Sequence, residues 1–103
     1  MPNLPEILSY LIPRIHHLGQ YAIDQQSQIT GDLKHDGSLV TKVDKHIEKE
    51  LTEFILKKYP TSTFINEEGT TNPNNSENSE LTWIIDPIDG TRNYVHQFPI
   101  FCI

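Results

Sequence analysis

The apolar positions of this chain fall into two helical stripes followed by short strand-like runs. Leu4, Ile7, Leu8, Leu11, Ile15, Leu18 and Ala22 recur at helical spacing, which predicts a helix over residues 3 to about 27. Asn3 with Glu6 three residues on resembles a capping box, and Pro5 falls in the first turn, where proline is tolerated. Pro13 removes one backbone hydrogen bond, so a kink or break is expected near Ile12. Val43, Ile47, Leu51, Phe54 and Ile55 form the stripe of a second helix, with Thr41 as its N-cap, Asp44 at N3 and Pro60 as its terminator. Residues 28–40 read as a polar connection around Gly31 and the Asp36-Gly37 turn, with room for a short hairpin.

Thr63 to Glu67 reads as a strand ending in the pair Glu67-Glu68. Leu81 to Ile85 reads as a buried strand, ended by a turn signal at Asp86-Pro87. Residues 69–80 between them are a polar, Asn-rich loop with nothing apolar to bury, expected to be mobile. A hairpin with this loop at its tip is the simplest topology, expected to bring Glu67 and Asp86 to one end of the sheet. After Thr91, residues 93–95 read as a short helical turn. The run Phe98 to Ile103 is apolar apart from Pro99, and the chain stops inside it. Termini usually lie in polar surface segments, so residues 1–103 are expected to be the N-terminal part of a longer protein, or a truncated product.

Composition narrows the partners. A chain of 103 residues has room for one small domain and buries about two-thirds of its unfolded surface. Net charge is -6, with 14 acidic against 8 basic residues and no basic run, which argues against nucleic acid as a ligand. No apolar run is long enough to span a membrane, and no signal-peptide pattern opens the chain. The single cysteine, Cys102, excludes an internal disulfide framework and permits a reducing compartment. Its apolar run predicts core packing rather than a nucleophile. His16 and His17 are adjacent and share no helix face, while His35, His46 and His96 are scattered without ligand spacing.

The candidate chemistry sits in Trp83 to Tyr94, W-I-I-D-P-I-D-G-T-R-N-Y. Asp86 and Asp89 lie three residues apart on a stiff Pro-containing turn, at a strand end, where ligand sites form in open α/β sheets. With Glu67 and Glu68, three or four carboxylates are expected to crowd together. Like charges that close are costly unless a cation neutralises them, and an all-oxygen set favours Mg2+ over Zn2+. The plainer reading is a surface turn, since Asp-Pro and Asp-Gly are ordinary turn dipeptides. Asp44 reads equally as a helix cap or as a carboxylate facing a metal. The Asp spacing does not fit a twelve-residue Ca2+ loop.

The twelve-residue string closely resembles the signature of the inositol monophosphatase family, Mg2+-dependent, lithium-sensitive sugar-phosphate phosphatases. Phe64-Ile65-Asn66-Glu67-Glu68 resembles the family's strand followed by Gly-Glu-Glu, and Asp36 to Asp44 resembles its Asp-Gly-Ser-x-Val-Thr-x-x-Asp segment. The resemblance implies a layered α/β (α+β) sandwich, here two helices packed on a β-hairpin or sheet that is incomplete at its C-terminal strand. It implies a phosphomonoesterase acting on a small phosphorylated sugar or polyol such as inositol monophosphate, through two-metal activation of water. It assigns Glu67, Asp86, the Ile88 backbone carbonyl and Asp89 to Mg2+, with the Ile88 side chain free to vary. Glu67 and Thr91 are assigned to the attacking water, and the Gly90 and Thr91 N–H groups to the phosphate. Gly90 suits close backbone approach to a ligand. Asp44 and Glu68 are assigned to the outer metal shell.

A cytoplasmic homodimer is the expected state of the full-length protein. Asn66 stands where the family usually has Gly; Asn is the best-tolerated replacement if that site needs positive φ. The family's later Trp-Asp segment, whose Asp completes the second metal site, is absent, so these residues alone are expected to show little or no activity. The alternatives are a non-catalytic scaffold of the same fold, or a relative acting on histidinol phosphate or 3'-phosphoadenosine 5'-phosphate.

Overall fold

The computed structural model describes residues 2–28, 33–66, 69–90, 94, 102 and 103, with backbone alone for 33–41. Two helices, α1 (Leu4–Gln26) and α2 (Leu33–Lys58), pack on a sheet of β1 (Thr63–Asn66), β2 (Gly69–Thr71) and β3 (Thr82–Ile84), in the order β2-β1-β3. This is the expected α/β layering.

The N-terminus of α1 is capped as the sequence predicts: the Glu6 N–H donates to Asn3 Oδ1 at 2.9 Å. Asn3→Ala is expected to cost about 1 kcal/mol, because the donor returns to unsatisfied status at a helix end; the urea midpoint reads this. Of the kink or break expected near Ile12, the break does not occur: α1 runs from Leu4 to Gln26 with Pro13 inside it. One lost backbone bond is outweighed by anchors to α2 on both sides of the proline. The Tyr10 hydroxyl donates to the Phe54 carbonyl at 2.7 Å, and Arg14 pairs with Glu50 at 2.9 Å. Those pairs, with Glu6–Lys58 near one end and the Tyr21–His46 ring contact near the other, fix the two helices as antiparallel.

The second helix starts earlier than expected. Thr41 is not an N-cap but lies inside α2, whose helical backbone begins at Leu33 and takes in the Asp36-Gly37 pair. The apolar positions 33, 40, 43 and 47 continue the helical period upstream, and extending a nucleated helix is cheaper than the roughly 1 kcal/mol that an internal glycine costs. The C-terminal boundary, just before Pro60, is as predicted.

The core forms two groups. Leu18, Ala22, Val43, Ile47 and Leu51 join Ile88 and Tyr94; Leu11, Ile55 and Tyr59 join Phe64. Each buried aliphatic side chain contributes roughly 1.5–3 kcal/mol, so the helix pair and the segment after β3 hold each other in place.

The sheet overturns the predicted hairpin. β1 pairs with β3 in parallel, Phe64 opposite Trp83 and Ile65 opposite Ile84, while β1 pairs antiparallel with β2. β2 arises from Gly69-Thr70-Thr71, inside the stretch expected to be all loop. Gly69 has φ +130°, a conformation L side chains rarely adopt, which explains a glycine at the start of β2. The rest of the Asn-rich loop is tied down by its own side chains. Asn72 donates to the Ser76 carbonyl at 2.6 Å, and Asn74 donates to the Pro60 carbonyl at 2.8 Å.

β3 is not the buried strand expected. Phe64 is buried and Trp83 half-buried on the helix-facing side, where the indole N–H donates to Ser62 Oγ at 3.0 Å. On the opposite face Ile84 is 79% exposed.

Candidate functional site

The parallel β1–β3 pair sets the geometry. An antiparallel hairpin would leave the two C-terminal strand ends at opposite ends of the sheet; parallel pairing puts the C-terminal ends of β1 and β3 side by side. Asn66 closes β1 in extended backbone, so the positive φ considered for that position is not used. Glu67, Glu68 and Thr91 lie outside the described residues. Asp86 and Asp89 follow β3, and both are exposed.

The turn that carries them is anchored at three points. The Ile88 side chain is 3% exposed and belongs to the core, so it is not free to vary as expected. The Gly90 carbonyl accepts from the Tyr94 N–H at 3.0 Å, one helical turn on, and Gly90 itself sits at φ +84°, where a Cβ would be strained. Tyr94, fully buried, donates its hydroxyl to the Ala22 carbonyl at 2.8 Å, and Gln26 Nε2 donates to the Tyr94 carbonyl at 3.1 Å. The sequence presented Tyr94 only as the aromatic at the end of a motif; its role as the bolt between this turn and α1 depends on contacts about 70 residues away.

Asp89 is also held on its far side. It forms an antiparallel bridge with Cys102, N–H to carbonyl in both directions at 2.7 and 3.1 Å. Cys102 is exposed rather than packed in the core as expected. Its thiol is pushed above the ordinary range by partial desolvation, then by its hydrogen bond to Asp89 and the charges of Asp89 and Asp86.

Across from this turn stands Asp44 on α2. It is half-buried, and its Oδ1 is shut off from solvent with no hydrogen-bond partner among the described residues. Burial first, then the charges of Asp86 and Glu48, push its carboxyl up from 3.8 to about 6. Asp44 and Asp86 therefore sense each other across the gap between α2 and the end of β3. Glu48, one turn along α2, adds to the same field; the i, i+4 spacing from Asp44 was its available signal in the sequence. An unpartnered carboxylate oxygen beside further carboxylates, with no basic group lowering its pKa among the described residues, is a fit for a hard divalent cation. Among the described residues no three His, Cys, Asp or Glu side chains gather closely enough to hold a metal by themselves.

A cleft of about 120 Å³ beside this region is lined by Glu48, Thr52, Asn66, Trp83 and Ile85 among others. That is below the few hundred Å³ typical of small-molecule sites, so it does not by itself accommodate a sugar phosphate. Among the described residues no helix is long and apolar enough to cross a membrane.

Comparison with known proteins agrees with the motifs. The inositol monophosphatase of Dictyostelium discoideum is 32% identical over 103 residues, covering 98% of this chain and 38% of that protein. Inositol monophosphatase 3 of Solanum lycopersicum is 42% identical, over 72% of this chain and 29% of the relative. Human inositol monophosphatase 1 is 47% identical over 66 residues, 63% of this chain and 24% of the relative. The chain thus spans no more than 38% of the length of these relatives. No solved structure matches it. Residues 15–103 match the inositol monophosphatase family as a whole, and with the two helices layered on the small mixed sheet, this chain belongs to that phosphatase family.

Proposed function

We propose that residues 1–103 supply the N-terminal portion of a catalytic domain that hydrolyses a small phosphorylated sugar or polyol, such as inositol monophosphate, with Mg2+. The observation that carries this reading is Asp44, whose Oδ1 is buried and unpartnered among the described residues and whose carboxyl lies in the field of Asp86. Without a cation that arrangement destabilises the fold, and with one it becomes a binding site.

In this reading Glu67, Asp86, the Ile88 carbonyl and Asp89 hold Mg2+, with Asp44 and Glu68 outside them. Bound Mg2+ supplies charge neutralisation at the phosphoryl oxygens and a lowered pKa for the attacking water. The chain's own part is to position groups. Glu67 helps orient the attacking water, and the Thr91 hydroxyl positions that water beside it. The Gly90 and Thr91 N–H groups donate to phosphate oxygens at the start of the turn that Tyr94 closes. Ile88 and Tyr94, both buried in the core, anchor the two sides of this segment, which favours a preset position for the Gly90 N–H.

Titration calorimetry with Mg2+, or Mn2+ as its paramagnetic substitute, tests the metal half. Saturable binding is expected, and Asp86→Asn should weaken it at least tenfold, by analogy with the cost of losing even outer groups. Equal binding by the variant would remove Asp86 from the site. Phosphate release tests the catalytic half: a domain of full family length should hydrolyse inositol monophosphate with Mg2+, and residues 1–103 alone should release little or none. A full-length domain that binds Mg2+ yet hydrolyses no phosphomonoester would instead be a scaffold.

A further inference from the structure

Asp89 and Cys102 are directly opposite residues of an antiparallel bridge, and opposite residues in such a pair put their side chains on the same face. The bridge is closed by both backbone hydrogen bonds, 2.7 and 3.1 Å. On that face the Cys102 thiol donates to Asp89 Oδ2 at 3.6 Å, a normal length for the larger sulfur atom. We propose that Cys102 is a positioning residue for the Asp89 carboxylate, holding Oδ2 so that Oδ1 is presented to the cation. The proposal rests on the reading of Asp89 as a cation ligand.

The reasoning is geometric. An exposed Asp carboxylate turns freely about its last bond, and binding must stop that rotation. The bridge already fixes the Asp89 backbone. The thiol then occupies one of the two oxygens and leaves the other free. A thiol suits this place because a neutral S–H is a weak donor and a poor partner for a hard cation. It orients the carboxylate without competing for the metal. Serine keeps the donor, whereas valine keeps a strand-compatible side chain and removes the donor.

Mg2+ calorimetry on the wild-type chain, Cys102→Val, Cys102→Ser and Asp89→Asn tests this, with amide hydrogen exchange at residues 89 and 102 reporting whether the bridge survives. Cys102→Val is expected to weaken binding about three- to tenfold with exchange protection intact, below the roughly 10–100-fold effect of stronger outer partners because the donor is weak. Cys102→Ser should stay within about twofold of wild type. Cys102→Val binding as tightly as wild type, or Cys102→Ser falling as far as Cys102→Val, overturns the proposal. If Cys102→Val also loses the bridge, Cys102→Ser decides in the same way. Asp89→Asn separates the two levels. If it weakens binding while Cys102→Val does not, only the positioning role fails. If it binds as wild type does, the reading of Asp89 as a ligand falls, and the proposal with it.

Discussion

Tyr94→Ala is expected to destabilise the chain by about 3–5 kcal/mol, a shift of roughly a hundredfold to several thousandfold in its folding equilibrium. The ring is fully buried among Leu18, Ala22, Val43, Ile47, Leu51 and Ile88, so truncation leaves a cavity between α1, α2 and the turn after β3. Burial pushes its hydroxyl up to about 12, so it remains a proton donor to the Ala22 carbonyl throughout the working pH range. Tyr94→Phe removes only that bond and should cost about 1 kcal/mol. The contrast separates packing from hydrogen bonding, and urea unfolding of both variants measures it. The site is affected as well. Tyr94 closes the turn that starts at Gly90, so Tyr94→Ala should weaken cation binding even where the chain stays folded. A loss below about 1 kcal/mol for Tyr94→Ala would mean that the ring is not the anchor described.

Asp44→Asn is expected to stabilise the metal-free chain at pH 7 and to leave it unchanged near pH 4. The carboxyl is raised from 3.8 to about 6 in the folded state, so the fold favours its protonated form. The favourable contribution is complete below the unfolded value of 3.8 and is lost as pH rises through about 6. Above that, the native chain carries a charge it would rather not hold. A shift of this size corresponds to at most about 3 kcal/mol. Asp44 is only half-buried, and screening by water brings the expected gain to about 1–2 kcal/mol. Added Mg2+ should reverse the order, stabilising wild type at pH 7 more than Asp44→Asn, because a ligand of the native state adds its binding energy to the fold. Melting temperatures at pH 4 and 7, with and without Mg2+, give the four numbers needed. A wild-type chain that is no less stable at pH 7 than at pH 4 without metal, with Asp44→Asn unchanged at both, would sink this account.

Much of this protein was decided locally. The helical spacing of Leu11, Leu18 and Ala22, and of Val43, Ile47, Leu51 and Ile55, picked out residues that are now in the core. The Asn3 cap and the stop before Pro60 were legible because each depends on backbone groups within a few residues. The family was legible too, since the Trp83–Tyr94 string is contiguous and fits the family signature at every position. What the sequence did not determine was whatever depends on partners far along the chain. The start of α2 at Leu33 set helix propagation against a local turn signal, and propagation won. The parallel pairing of β1 and β3 is a choice between registers that alternation alone cannot make, yet it puts the two strand ends side by side. Exposed Cys102 meeting Asp89, and buried Tyr94 meeting Ala22 and Gln26, are contacts between residues 13 to 72 positions apart, which only the assembled helices and sheet bring about. Residue types along a motif record which chemistry is available; the packing of distant segments decides which of those residues face one another.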